Sequence, residues 1–211
     1  MIASGQTLLL FVAACCGLLL SPGPNMALVV SHGLAYGPRG GVAVAAGIVI
    51  ADLVLTVLVV VGVAAMLAAL PESLDALRFA GAAYLMWLAR KSLRRRDRYE
   101  LPAAPPRSTR AIVQLSVFIS LLNPKALLFF MVFLPQFVEP KRGQVTLQLT
   151  VLGGLLSAIA FVFHAVLGVV SARARGWAVG RGGRVKWIDH LQVFVFLGLA
   201  LRLLLLESTP K

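Results

Sequence analysis

The sequence predicts an all-α, polytopic membrane protein of six transmembrane helices, arranged as a 3+3 inverted repeat with broken first and fourth helices. Of its 211 residues, 59% are hydrophobic and 13% are charged, which leaves too few polar residues for the surface of a water-soluble domain. The apolar residues form long segments, several of them about 20 residues or more, the length a helix needs to cross a hydrocarbon core about 30 Å thick. Prolines interrupt the first and the fourth of these segments at similar depths.

Hydropathy divides the chain into six candidate spans. They are Gln6–Ser31, Gly41–Leu70, Leu74–Ala89, Ala111–Val138, Val145–Ala172 and Ile188–Leu206. The third and sixth have the weaker signal, because charged residues lie at or near their ends.

Loop charge predicts the orientation of these spans. Of the 20 Lys and Arg residues, 14 lie in the loops 90–110 and 173–186 or at Arg39, and five lie on the opposite side. Because basic loops stay in the cytoplasm, both termini are expected outside it. The net charge of +12 therefore reflects loops that meet the lipid bilayer, and we expect no nucleic-acid partner.

The chain is expected to form one membrane transporter domain over residues 1–211. Residues 1–92 form the first three-helix repeat, 93–110 a cytoplasmic linker rich in Arg and Pro, and 111–211 the second repeat. Leu20-Ser21-Pro22-Gly23 matches Leu122-Asn123-Pro124-Lys125. An odd number of spans in each half gives the halves opposite orientations, as in many secondary transporters.

The first predicted break, Ser21-Pro22-Gly23-Pro24-Asn25, lies about midway through its span. Each proline removes a backbone donor and frees a carbonyl group, which hydrocarbon cannot satisfy. Irregular backbone at this depth is tolerated against protein or a wet cavity. We therefore predict a binding site for a small solute here; the alternative is a simple proline kink.

Asn123, Pro124 and Lys125 form the second predicted break. An ionised lysine is costly at membrane depth, so Lys125 is expected either to bind a substrate carboxylate or to pair with Asp52. The alternative is a lysine whose ammonium group reaches the membrane interface.

Asp52 is the acidic residue deepest in a predicted span, with Thr56 one turn further on the same face. A carboxyl group there is a candidate proton carrier, and the alternative is a static ion pair. Ala43, Gly47 and Ala51 recur every four residues and predict close helix packing.

Two further polar side chains lie within predicted spans. His164 is a candidate proton relay, although an interhelical hydrogen bond is the favoured interpretation. Tyr84 is a candidate for the cavity wall or for simple packing. The sequence has no Walker-type phosphate loop, no hydrolase motif and no clustered metal ligands, so neither an enzyme, a cofactor nor a bound metal is expected.

Four stretches, in this order and spacing, resemble the lysine exporter (LysE/RhtB) superfamily over nearly the whole chain. They are Ser21-Pro22-Gly23-Pro24-Asn25; Gly33 to Gly47 with Asp52; Gly81-Ala82-Ala83-Tyr84-Leu85 leading to Lys91-Ser92-Leu93-Arg94; and Asn123-Pro124-Lys125-Ala126 through Leu134-Pro135-Gln136-Phe137. The resemblance implies a bacterial plasma-membrane carrier of about six spans that exports amino acids with the proton-motive force. It also implies that the two proline motifs and Asp52 line the central site. Arg202 departs from the apolar or small residue expected there.

The leading hypothesis is an amino-acid/proton antiporter that works by alternating access. Asp52 would carry the proton, and Lys125 with the free N–H groups of the broken helices would hold the carboxylate. The alternatives are a metal-ion efflux protein or passive channel of the wider superfamily, and a membrane scaffold that moves no solute. The residues do not reveal which amino acid is moved, and they leave the oligomeric state open, a homo-oligomer included.

Overall fold

The computed structural model describes residues 4–69, 108–139 and 142–174, with seven isolated positions (79, 83, 86, 87, 90, 197 and 201) and without the side chains of 63–69. Throughout these residues the regular structure is helical, as the sequence predicts. Five helices are labelled here. They are α1 (Gly5–Leu20), α2 (Pro24–Ala69), α3 (Thr109–Leu121), α4 (Pro124–Leu128) and α5 (Val145–Arg173).

Helix α1 and the start of α2 form the predicted broken first span. The Ser4 hydroxyl caps α1 by accepting a hydrogen bond from the Thr7 N–H at 3.1 Å. The helix ends at Leu20, and Ser21 adopts an extended conformation. Helix α2 then begins at Pro24, since a proline at the first helical position needs no N–H donor.

Helix α2 consists of two helical parts that meet at Gly37. The first part belongs to the first predicted span, and the second part contains nearly all of the second predicted span. Gly37 has φ 73° and ψ −165°, a conformation that a residue without a β-carbon adopts freely, and Pro38 follows. A β-carbon on Gly40 would lie 2.6 Å from the His32 carbonyl oxygen, whereas residues eight apart in a straight helix are separated by about 12 Å. The chain therefore folds back sharply at Gly37. Helical structure extends past the predicted end at Ser31 and resumes before the predicted start at Gly41.

The fourth predicted span is also broken, between α3 and α4. The two parts, Thr109–Leu121 and Pro124–Phe137, are bent by 55°. The Asn123 side chain caps α4 by accepting a hydrogen bond from the Lys125 N–H at 3.1 Å. Beyond α4 the chain forms a π-helical turn (Phe129–Phe133) and a 3-10 turn (Leu134–Phe137), as expected where Pro135 interrupts regular hydrogen bonding.

The structure changes the register in which the two breaks correspond. The sequence match aligned Pro22 with Pro124, but Pro24 and Pro124 are the residues that open the second half-helix in each case. Asn25 and Lys125 therefore occupy equivalent positions.

Several described helices fit a bilayer by length and composition. Pro24–Gly62 and Val145–Arg173 are long and apolar enough to cross a membrane, the bent pair is a third such segment, and Gly5–Leu20 is a shorter apolar helix. The outward faces are apolar too, since Val57, Val61, Phe118 and Val162 are 61–64% exposed. Exposed apolar side chains on three of the helices suit an apolar solvent.

Other predicted features lie outside the described residues. These are most of the third and sixth spans and of the 93–110 linker, together with Tyr84 and Arg202. The six-span, 3+3 arrangement and its division into repeats therefore stay predictions.

The core joins α1 to the end of the fourth span and to α5. The rings of Phe11 and Phe137 meet edge to face with centroids 5.0 Å apart, and Phe133 lies 4.7 Å from Phe137. Leu149 and Leu152 of α5 complete this buried cluster.

Close contacts between helices depend on glycine. A β-carbon on Gly47 would lie 2.5 Å from the Ser116 β-carbon and 2.6 Å from the Val113 carbonyl oxygen. The predicted small-residue seam is therefore confirmed as the place where α2 approaches α3. Gly41 of α2 and Gly168 of α5 approach similarly closely, here backbone against backbone.

A polar network ties the N-terminus of α1 to the end of the fourth span. The Glu139 carboxylate accepts hydrogen bonds from the Ser4 N–H at 2.9 Å and the Thr7 hydroxyl at 2.8 Å, and it also pairs with Arg142. The buried Gln148 amide accepts from the Glu139 N–H at 2.8 Å and donates to the Glu139 carbonyl oxygen at 3.1 Å. The hydrogen bonds that the carboxylate accepts from the Ser4 N–H, the Thr7 hydroxyl and Arg142 lower the pKa of Glu139 to about 2.

We predict that Gly168→Ala destabilises the protein by about 1–3 kcal/mol, because the new methyl group would lie 2.7 Å from the Gly41 α-carbon. The matched control is Gly154→Ala in the same helix, where a β-carbon meets nothing within 4 Å. That variant should be neutral or slightly more stable. The measurement is reversible unfolding in detergent micelles, and equal stability of the two variants would contradict this packing.

Because the folded-state pKa of Glu139 is depressed, its contribution to stability should be full above the ordinary carboxyl pKa near 4.5 and be lost as the pH falls towards 2. Thermal unfolding of Glu139→Gln should therefore occur at a lower temperature than that of the unmodified chain at pH 6. The difference should shrink between pH 4.5 and pH 2. A difference that stays constant across this window would show that the carboxylate charge is not what stabilises the network.

Candidate functional site

The two helix breaks face each other across one cavity of about 50 Å³, enough for a few water molecules. Its polar wall comes from both breaks and from two other positions. These residues are Ser21, Gly23, Asn25, Asn123 and Lys125, with Asp52 of α2 and His164 of α5. Six of the residues that the sequence predicts for the binding site thus line one cavity: three from the first break, two from the second break, and Asp52.

Lys125 binds the end of α1. Its ammonium group donates hydrogen bonds to the carbonyl oxygens of Leu18 at 2.8 Å and Ser21 at 2.5 Å. The last carbonyl groups of a helix lack helical partners and carry the negative end of its dipole, so they attract a cation. Within the described part of the chain no ion pair joins Lys125 to Asp52, so the expected pairing of the two is absent from this conformation.

Asn25 and Asn123 link the two breaks directly. The Asn123 amide donates to the Asn25 side-chain oxygen at 3.1 Å, and the Asn25 amide donates to the Ser120 hydroxyl at 2.9 Å. Asn25 thus reaches the last turn of α3, just as Lys125 reaches the last turn of α1. Ser120 was not predicted, because the sequence gives no sign that this serine faces the other break.

Asp52 projects from α2 into the cavity and is only 4% exposed. Among the residues that the structure describes, its carboxyl group has neither a hydrogen-bond donor nor a cation beside it. Thr56 does not serve it, because the threonine hydroxyl donates to the Asp52 main-chain carbonyl oxygen at 2.8 Å. The carboxyl group is therefore buried with its oxygens available to a ligand or a proton.

The remaining residues of the first break shape the cavity. Ser21 is 1% exposed, and its hydroxyl finds no hydrogen-bond partner in the described residues. Gly23 lies beside the Lys125 side chain, and a β-carbon there would be in ordinary van der Waals contact with its δ-carbon at 3.4 Å. Pro22, Pro24 and Pro124 do not line the cavity. Their effect is on the backbone, because Pro24 and Pro124 each open a helix.

His164 also faces the cavity, and its hydrogen bond differs from the favoured interpretation. Its Nδ1 lies 2.8 Å from the Ala160 carbonyl oxygen, one turn back in its own helix. Because a carbonyl oxygen can only accept a hydrogen bond, Nδ1 carries a proton in this contact. The expected interhelical hydrogen bond is thus wrong for this side chain.

Apolar side chains, called here the apolar wall, line the rest of the cavity. Its members are Leu18, Leu19, Met26, Ile48, Ala126, Phe129, Phe130, Leu156 and Ala160. Hydropathy predicted buried residues in these spans without showing which of them face a solute, because apolar side chains that line a cavity resemble those that pack helices. The part of the chain that the structure describes holds no group of three His, Cys, Asp or Glu residues that could bind a metal ion.

Comparisons with known proteins agree with these features. The model of the LysE type translocator family matches residues 16–207. Leucine efflux proteins from Klebsiella pneumoniae and from an Enterobacter species are 34% and 32% identical to the chain. The first similarity covers 90% of this chain and 91% of the relative, and the second covers 88% and 89%. A leucine efflux protein of Salmonella typhimurium is 29% identical over 195 residues. No solved structure matches the chain.

We predict that Asn25 and Asn123 are energetically coupled across the two breaks by about 1 kcal/mol. A double-mutant cycle with Asn25→Ala and Asn123→Ala, measured by reversible unfolding in micelles, gives this coupling. Each single substitution should cost more than this coupling energy, because Asn123→Ala also removes the cap of α4 and Asn25→Ala also removes the hydrogen bond to Ser120.

The control is Ser157→Ala, whose hydroxyl donates to the Gly153 carbonyl oxygen within its own helix. This change should add to either asparagine substitution without coupling. Strict additivity of the two asparagine substitutions would mean that their hydrogen bond does not hold the breaks together.

Proposed function

The chain belongs to the LysE type translocator family, and from that membership and the polar cavity between its two breaks we propose that it exports amino acids in exchange for protons. The observation that carries the proposal is the meeting of a buried carboxyl group, a half-buried lysine and two helix breaks around one space. Members of this family and the similar proteins named above are transporters rather than enzymes.

The substrate we propose is leucine or an amino acid of similar shape. The relatives that the chain resembles are named leucine efflux proteins. The apolar side chains that line the cavity, among them Met26, Phe129 and Leu156, support this. A branched aliphatic side chain would bury its surface there while the amino and carboxyl groups contact the polar wall.

Within this site Lys125 would bind the substrate carboxylate and Asp52 would carry the proton. Lys125 enters the cavity on the first turn of α4, next to the Asn123 cap, so its stem is fixed while its ammonium group can turn. Asp52 has no cation beside it among the described residues, so protonation would remove an uncompensated buried charge. Movement of the two halves around the Asn25–Asn123 contact would expose the site to each side in turn.

Localisation follows from the same family. The apolar helices and the bacterial leucine efflux relatives support the inner membrane of a bacterium. The orientation that we propose, with both termini outside the cytoplasm, has its support in the basic loops. Metal-ion efflux has no supporting feature in the described residues, which contain no cluster of metal ligands.

Release of labelled leucine from proteoliposomes tests the proposal. An acidic external medium should accelerate release by the unmodified chain, because protons enter as leucine leaves. In Asp52→Asn the acceleration by the pH gradient should be at least tenfold smaller, while leucine–leucine exchange continues. An amide occupies the same volume as the carboxyl group but takes up no proton. A release rate that ignores the pH gradient in the unmodified chain would contradict proton antiport.

The control is Ser116→Ala. Ser116 is as buried as Asp52 but bonds within its own helix, to the Ile112 carbonyl oxygen at 2.7 Å, and it does not line the cavity. This variant should respond to the gradient as the unmodified chain does. If Asp52→Asn responds equally well, the proton binds elsewhere.

A further inference from the structure

The C-terminal end of α1 forms a site that fits a primary ammonium group. Two carbonyl oxygens, of Leu18 and Ser21, converge on one nitrogen at 2.8 and 2.5 Å. Neither belongs to a side chain, so the arrangement is fixed by the helix end itself. The occupant is the Lys125 ammonium group, which comes from the other break.

Lys125 is a temporary occupant on chemical grounds. An ammonium group has three N–H donors, and the described residues accept hydrogen bonds from it at two carbonyl groups without supplying a negative charge. A buried charge without a counter-charge is costly, so an anion that enters the cavity would draw Lys125 towards it.

A second observation marks the same place as a ligand site. The Ser21 hydroxyl is 1% exposed, lines the cavity and is unpartnered among the described residues. A buried hydroxyl without a hydrogen bond is unfavourable, and a bound polar group would satisfy it. This hydroxyl and the two carbonyl groups belong to one turn of backbone.

We propose that the Leu18 and Ser21 carbonyl groups are the binding site for the α-ammonium group of the substrate, and that Lys125 fills this site until the substrate displaces it. The inference rests on the proposed amino-acid export. On binding, the substrate ammonium group takes over the two carbonyl groups, Lys125 turns to the substrate carboxylate, and the Ser21 hydroxyl gains a partner. No bond is made or broken covalently.

This exchange predicts that the substrate must be a zwitterion. An amine without a carboxylate brings a second positive charge beside Lys125 and offers Lys125 nothing in return. A carboxylate without an amine attracts Lys125 but leaves the two carbonyl groups of α1 without a cation. An α-amino acid satisfies both, and the total charge in the cavity does not change when it binds.

Binding to the full chain in lipid nanodiscs tests the exchange with three ligands of one side-chain shape. They are leucine, 3-methylbutylamine, which lacks the carboxylate, and 4-methylpentanoate, which lacks the amine. The unmodified chain should bind the amine and the acid at least tenfold more weakly than leucine. In Lys125→Met the carbonyl groups are vacated, so affinity for the amine should rise at least tenfold while affinity for leucine falls.

Two controls separate a shaped site from a general effect of charge. The N,N,N-trimethyl derivative of the amine has the same charge but no N–H donor, so it should gain little in Lys125→Met. Lys125→Arg keeps a cation at the carbonyl groups and should continue to exclude the amine. The inference fails if the folded Lys125→Met variant does not gain affinity for the amine, or if the trimethyl derivative gains as much.

If Lys125→Met does not fold, the exchange can be tested by a measurement that leaves Lys125 in place. The chain has four other lysines, Lys91, Lys141, Lys186 and Lys211, and replacing them with arginine leaves Lys125 as the single lysine. Saturating leucine should shift the ¹⁵N resonance of its side-chain nitrogen. An unmoved resonance would overturn the exchange. If leucine neither binds nor leaves proteoliposomes in the unmodified chain, the proposed function itself has failed, whereas export without this shift rejects the ammonium site alone.

Discussion

The missing N–H of a proline at membrane depth is the constraint on which the structure depends. Pro24 and Pro124 can open helices but cannot continue them, so α1 and α3 must end just before them. Each ending leaves carbonyl groups without helical partners in a region where hydrocarbon offers none. The cavity and its polar residues follow, because those groups must be satisfied by protein or by a ligand.

Each break satisfies part of the other. The residue after each helix-opening proline extends to the final turn of the opposite broken helix, Lys125 to α1 and Asn25 to α3. The Asn25–Asn123 hydrogen bond lies between these two contacts. Such mutual support means that neither half-helix can move far without changing the partners of the other. In the proposed transport cycle, movement of one half-helix would therefore change the contacts of the other.

Local chemistry made the positions of both breaks predictable, while the partners of the polar groups were not. Proline and asparagine act within one or two residues, so the ends of α1 and α3 followed from the sequence. The correspondence of Pro24 with Pro124, and the fold-back at Gly37, depend on backbone angles that a pairwise motif match does not contain. For Lys125 the sequence suggested a carboxylate partner, since opposite charges attract. It could not show that two helix-end carbonyl groups were nearer.

Because Asp52 and Lys125 are not paired with each other, each remains available to a ligand. Had the two formed an ion pair, each would have neutralised the other, and removing either charge would have been costly. Instead, in the described residues, Asp52 has no cation and Lys125 has no anion. In the proposed exchange, a proton would neutralise Asp52 and the substrate carboxylate would pair with Lys125, within the same small space. Because both ligands would change the charge balance around the same two breaks, binding of one would alter the affinity for the other, as exchange transport requires.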